Sequence, residues 1–140
     1  MSGIYFLVQQ MMFFSIPLIV VALGGLFSER SGVVNVALEG TMIMGAFTSI
    51  LFISLFQNVL PGQTILIIGM VIAIVVGAVT ELAHAYASIN MKADQVISGT
   101  AINMFAPAFA IFVTRMIQGG ASQINFINQF RIEKVPVLGD

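Results

Sequence analysis

Three groups of polar side chains in this chain could do chemistry. Asn35 and Glu39 stand four residues apart, Glu81, His84 and Ser88 follow one another at helical spacing, and Asn103 lies alone in an apolar run. Glu81 and His84 at i and i+3 would share one helix face, the arrangement of a proton relay, because ionisable groups inside a membrane are often functional. Asn35 and Glu39 at i and i+4 would also share a face, and a carboxamide beside a carboxylate can line a wet path for a polar solute. For each group there is a plainer alternative. Glu81 and His84 can anchor a helix end at the headgroups, Glu39 can sit in a charged loop, and Asn103 can bond a neighbouring helix.

Other chemistries are excluded by what the chain lacks. It has no cysteine and one histidine, so neither a thiol nucleophile nor a histidine metal cluster can form. There is no GxxxxGK[ST] phosphate loop and no dinucleotide fingerprint after Gly24-Gly25, and a single His at a helix end suggests no Ser-His-acid trio. Five Lys and Arg against six Asp and Glu give a net charge of −1, which removes nucleic acid as a partner. No metal and no cofactor is expected.

The elements that position these groups are membrane spans. Of the 140 residues, 59% are hydrophobic and 8% charged, far below the charge of a soluble domain, so the chain's solvent is a lipid bilayer. No Lys or Arg precedes Arg30, and the apolar run from Ile4 to Phe27 is too long for a cleaved signal, so it reads as a retained span. Gly40 to Thr80 is free of charge and long enough for two helices, with Gln57-Asn58-Val59-Leu60-Pro61-Gly62-Gln63 as the turn between them. Gln95 to Thr114 makes a last window. The expected fold is therefore an all-α, polytopic helix bundle with four transmembrane helices near 4–27, 33–56, 64–90 and 95–115. Residues 1–115 form the membrane unit, and 116–140 read as a loop or interfacial segment cut short at Asp140.

Within that frame, Gly69, Ala73 and Gly77 repeat every four residues and predict a close helix contact, while Pro107 predicts a kink in the fourth span. A helix from Thr64 rises about 25 Å by Glu81, which puts Glu81 near the far interface and His84 beyond it. Asn103 would lie about 12 Å into the helix that starts at Gln95. Residues 24–40 are the anomaly, with Glu29, Arg30, Glu39, Asn35 and four glycines between apolar runs. Ser31 could cap a helix whose first turn holds Gly32, Val33 and Val34, and the segment is either a charged hairpin loop joining two spans, with Glu39 at the headgroup level, or a broken or re-entrant region near 28–40 lining a cavity. The residues alone leave both open. Charge does not fix the orientation either: one side receives Arg30 and Lys92, the other Arg115, Arg131 and Lys134.

Two blocks carry a family resemblance. Residues 22–40, ALGGLFSERSGVVNVALEG, closely resemble the first signature block of the ABC-transporter permeases for nucleosides and simple sugars, relatives of the branched-chain amino-acid and ribose permeases. Residues 92–104, KADQVISGTAINM, followed by Ala106-Pro107-Ala108, resemble a second block in the same order. The resemblance implies an N-terminal part of a permease subunit, not an enzyme, in a bacterial cell membrane. It implies that ATP is hydrolysed on separate ABC ATPase subunits, that a second homologous permease shares the path, and that an extracellular substrate-binding lipoprotein delivers the solute. It also implies that Asn35 and Glu39, with Asn103 behind them, face the substrate pathway, and that Arg30 and Lys92 face the cytoplasm. The competing reading is a small structural or assembly membrane protein without a solute path.

Overall fold

A computed structural model of the chain describes residues 2–59, 62–120 and 124. It contains four helices, α1 (Ser2–Arg30), α2 (Leu38–Phe56), α3 (Gly62–Ile89) and α4 (Gln95–Ile117). Each is long and apolar enough to cross a membrane, making this a multi-pass membrane bundle. Residues Leu60 and Pro61 of the expected turn, and 121–123 and 125–140 of the expected C-terminal loop, lie outside the described residues.

Three of the four helices begin or end within a few residues of expectation. The exception is α2, which starts at Leu38 rather than near residue 33, because residues 33–36 adopt no regular structure. Val33, Val34 and Val36 are β-branched and lose rotamer freedom in a helix, while Asn35 competes for backbone hydrogen bonds. Ser31 therefore caps no following helix. Its hydroxyl donates back to the Ser28 carbonyl at 2.6 Å. The end of α1 is closed by Gly32, at φ +89°: the Gly32 N–H reaches the Glu29 carbonyl and the Val33 N–H reaches that of Ser28.

Packing is unequal. The main contacts join α2 to α3 and α2 to α4, whereas α1 touches only α2, and lightly. None of the apolar window of α1 is buried. The small-residue stripe of α3 meets a matching row on α2. A methyl group on Gly45 would sit 3.0 Å from the Ala73 carbonyl oxygen, and one on Gly69 would meet Ser49 Oγ and Ile53 Cδ1 at 3.0 Å. One on Gly77 would lie 3.8 Å from the Thr41 methyl. Backbones approach closely here because no side chain intervenes, which is how helices associate where lipid supplies no hydrophobic drive. Between α2 and α4, Phe47 and Phe109 meet edge to face, with ring centroids 6.3 Å apart. Pro107 lies inside α4, which runs unbroken from Gln95 to Ile117, and it withholds the N–H that would have bonded the Asn103 carbonyl.

Candidate functional site: a pinned break between the first two helices

The non-helical residues 33–36 run along the first turns of α4, where side chains and backbone bind them at several points. The Val34 N–H donates to Gln95 Oε1 at 2.8 Å. Val36 and Ala37 lie over Gly99, at which an added methyl would come within 2.9 Å of Val36 Cβ and 3.0 Å of the Ala37 nitrogen. Asn103 Nδ2 donates to the Val36 carbonyl at 2.7 Å, and Asn103 Oδ1 accepts the Gly40 N–H at 2.7 Å. Gly40 sits so close to α4 that a methyl there would be 2.8 Å from the Ile102 carbonyl oxygen.

These contacts solve the problem any break in a membrane helix creates. The first N–H groups of a helix have no intrahelical acceptor, and unpaired backbone groups are costly away from water. Ala37, which precedes α2, makes no side-chain cap. The caps come from elsewhere: Asn35 Oδ1 accepts the Ala37 N–H at 2.9 Å, and Asn103 accepts that of Gly40. Asn103 is thus spent on backbone groups, the Val36 carbonyl of the linker and the Gly40 N–H of the neighbouring helix α2.

A second polar cluster lies one residue back along the stretch. Asn35 Nδ2 donates to Glu81 Oε2 at 2.6 Å, and the Thr41 hydroxyl donates to Glu81 Oε1 at 2.7 Å. Glu81 joins α3, the linker before α2 and α2 itself through one carboxyl group. It stands eight residues before the end of α3, about 12 Å along the helix, as Asn103 stands eight residues after the start of α4. Glu81 is therefore part of a half-buried polar network between the helices. His84 lies inside as well, 2% exposed, with Nδ1 2.9 Å from Ser98 Oγ on α4. Ser88 donates to the His84 carbonyl at 2.9 Å. Glu81 and His84 take separate partners.

The expected pathway residues are brought together unequally. Asn35 is outside the helix and Glu39 is helical, so they do not share a helix face. Both polar atoms of Asn35 and both of Asn103 are engaged within the chain. Glu39 is exposed in the first turn of α2, where a negative charge suits the helix dipole. Glu81 and Thr41, missed as partners of Asn35, were detectable only as polar groups in apolar spans that needed partners. Glu81 and Thr41 also form the polar end of an open groove of about 520 Å³ between α1, α2 and α3. Among the described residues no group of three or more His, Asp or Glu could hold a metal ion.

Comparison with known proteins gives a consistent picture. The family described as "Branched-chain amino acid transport system / permease component" matches residues 7–135. The guanosine ABC transporter permease protein NupQ of Bacillus subtilis is 46% identical over 127 residues, which cover 91% of this chain and 40% of that protein. The nucleoside ABC transporter permease protein NupC of Lactococcus lactis is 37% identical over 142 residues, covering 95% of this chain and 43% of that protein. A putative glucose ABC transporter permease protein of Haloferax volcanii, TsgC13, is 30% identical over 95 residues, 68% of this chain and 27% of that protein. The chain thus spans about two fifths of the length of the two nucleoside permeases it matches. No solved structure matches it.

Proposed function

Since the chain belongs to the permease-component family of the branched-chain amino acid transport systems, we propose that it forms part of the translocation path of an ABC importer for nucleosides or related sugar-containing solutes. The observation that carries this reading is the pinned break. A non-helical backbone between two membrane-length helices is tolerated only where protein buries it or water reaches it, and here α4 meets its backbone hydrogen bonds while α3 holds the Asn35 side chain. Glu39, whose carboxylate is exposed at the start of α2, is the residue that faces the path. Asn35 and Asn103 shape the wall by holding the break open. The names of the relatives, guanosine and nucleoside permeases, support the solute class.

ATP hydrolysis falls to ABC ATPase subunits on separate chains, with a second homologous permease completing the path and an extracellular lipoprotein delivering the solute. The chain's own residues contain no phosphate loop to take over that role. Affinity capture of the tagged chain from its source membrane should recover an ATPase and a substrate-binding lipoprotein. Recovery of neither would overturn the importer reading and favour a structural membrane protein. Because the chain has no native cysteine, a single cysteine placed at 39 reports water access cleanly. It should react with a membrane-impermeant maleimide, and protection of that position would remove Glu39 from the path.

A further inference from the structure

Asn103 grips the chain on both sides of Glu39. Its Nδ2 holds the Val36 carbonyl at 2.7 Å, and the N–H that its Oδ1 accepts, also at 2.7 Å, belongs to the peptide bond joining Glu39 to Gly40. Ala37, Leu38 and Glu39 are therefore suspended between two bonds to one carboxamide of α4. Close backbone approach backs the grip at either end. A methyl on Gly40 would lie 2.8 Å from the Ile102 carbonyl oxygen, and one on Gly99 would lie 2.9 Å from Val36 Cβ. Within this segment Ala37 and Gly40 are buried, whereas Glu39 projects between them and is exposed. The hydrogen bonds from the end of α1 stop at Val33, and Ala37 gives α2 no side-chain cap.

We propose that Asn103 is the positioning residue for Glu39, so that the first turns of α4, rather than α1, set where this exposed side chain stands. The inference rests on the reading of Glu39 as the residue that faces the path, and adds to it the element that controls its place. Two bonds from one planar carboxamide fix an orientation as well as a point, whereas a single bond would let the turn swivel about it. Both bonds go to backbone, so the grip does not depend on which side chain stands at 39. Removing the carboxamide leaves a backbone donor and acceptor unpaired, and the ratio of held to released heads of α2 should fall about tenfold or more.

The test is a pair of spin-label distances, read by pulsed electron paramagnetic resonance on the full chain in lipid nanodiscs. With no native cysteine, labels attach only where a cysteine is placed. Labels at 39 and 67 join the head of α2 to α3, and labels at 55 and 79 join the tail of α2 to α3; all four positions are exposed. With Asn103 in place, both pairs should give one narrow distance. Asn103→Leu should broaden or split the 39–67 distance and leave the 55–79 distance narrow. Gly99→Ala drives residues 36 and 37 off α4 with Asn103 intact, and should disturb the same pair. An unmoved 39–67 distance in a folded Asn103→Leu protein overturns the proposal, as does a broad one while Asn103 is present. Equal broadening of both pairs overturns it too, since Asn103 would then support the bundle at large. If Asn103→Leu does not fold, Gly99→Ala decides, and an unmoved 39–67 distance in that variant overturns the proposal. Maleimide protection of a cysteine at 39, with the 39–67 distance still dependent on Asn103, removes Glu39 from the path and keeps the hold of α4 on α2, so the two failures are separable.

Discussion

Asn103 caps a helix that is not its own: its Oδ1, on α4, accepts the N–H of Gly40 in the first turn of α2 at 2.7 Å. The same carboxamide holds the Val36 carbonyl, so one side chain supplies both the acceptor and the donor that the break requires. Sixty-three residues separate the two partners of the cap, and the contact exists only because Gly40 brings its backbone against Ile102 and Asn103.

Removing that side chain should be expensive. Asn103→Leu leaves a donor and an acceptor of the backbone without partners, each worth about 1–3 kcal/mol, so a loss of about 2–6 kcal/mol is expected. Asn103→Asp keeps the acceptor for Gly40 and loses the donor to Val36, and should fall between. Thermal unfolding of the purified chain in detergent measures both. A leucine variant within about 0.5 kcal/mol of wild type would show that the cap contributes little.

Glycines that look alike in sequence should behave differently. Gly40→Ala and Gly99→Ala force a methyl to within 3.0 Å of backbone atoms, and each should cost about 1–3 kcal/mol. Gly24→Ala meets nothing within 4 Å on an exposed helix and should be neutral or stabilising by about 0.5–1 kcal/mol. The same melts rank the three, and an equal response at all of them would contradict the close approach of α2 and α4.

Asn35 and Glu81 should be energetically coupled. In a double-mutant cycle of Asn35→Ala and Glu81→Gln, the 2.6 Å bond predicts an interaction energy of about 1–3 kcal/mol. Additive single effects would place the two side chains apart.

The start of α4 offers a smaller, cleaner case. Asp94 accepts the Val96 and Ile97 N–H groups at 2.8 and 3.1 Å. Asp94→Ala should cost about 1 kcal/mol and Asp94→Ser should recover most of it. Helicity and melting temperature of the two variants check this, and an alanine variant as stable as wild type would deny the cap.

The sequence-legible part of this fold is whatever depends on local composition. Spans follow from charge-free windows, and the Gly69-Ala73-Gly77 stripe follows from a four-residue period that α3 does turn toward α2. The irregular nature of residues near 28–40 was also legible, from charges and glycines set in an apolar chain. What escaped is the direction of each polar side chain. The partners of Asn35 and Asn103 lie on the opposite side of a break whose shape is set by Gly40 and Gly99, and no local pattern encodes a contact made across more than forty residues. The partners of Glu81 were hidden for a related reason. Counting rise along α3 gives a depth, but the partners come from the linker between α1 and α2 (Asn35) and from the first turn of α2 (Thr41). Three β-branched valines at 33, 34 and 36 were the local hint that the helix would not start at Ser31.

The two ends of the break answer to different helices. Val33 is tied to α1, through the Ser28 hydroxyl and backbone, whereas Val34 onward is fastened to Gln95, Gly99 and Asn103 on α4. The handover falls between two adjacent residues, just past the left-handed turn at Gly32. A tilt of α4 would therefore drag the head of α2 along with it while leaving the tail of α1 behind. The Val33–Val34 peptide is thus the joint between α1 and the packed group of α2, α3 and α4.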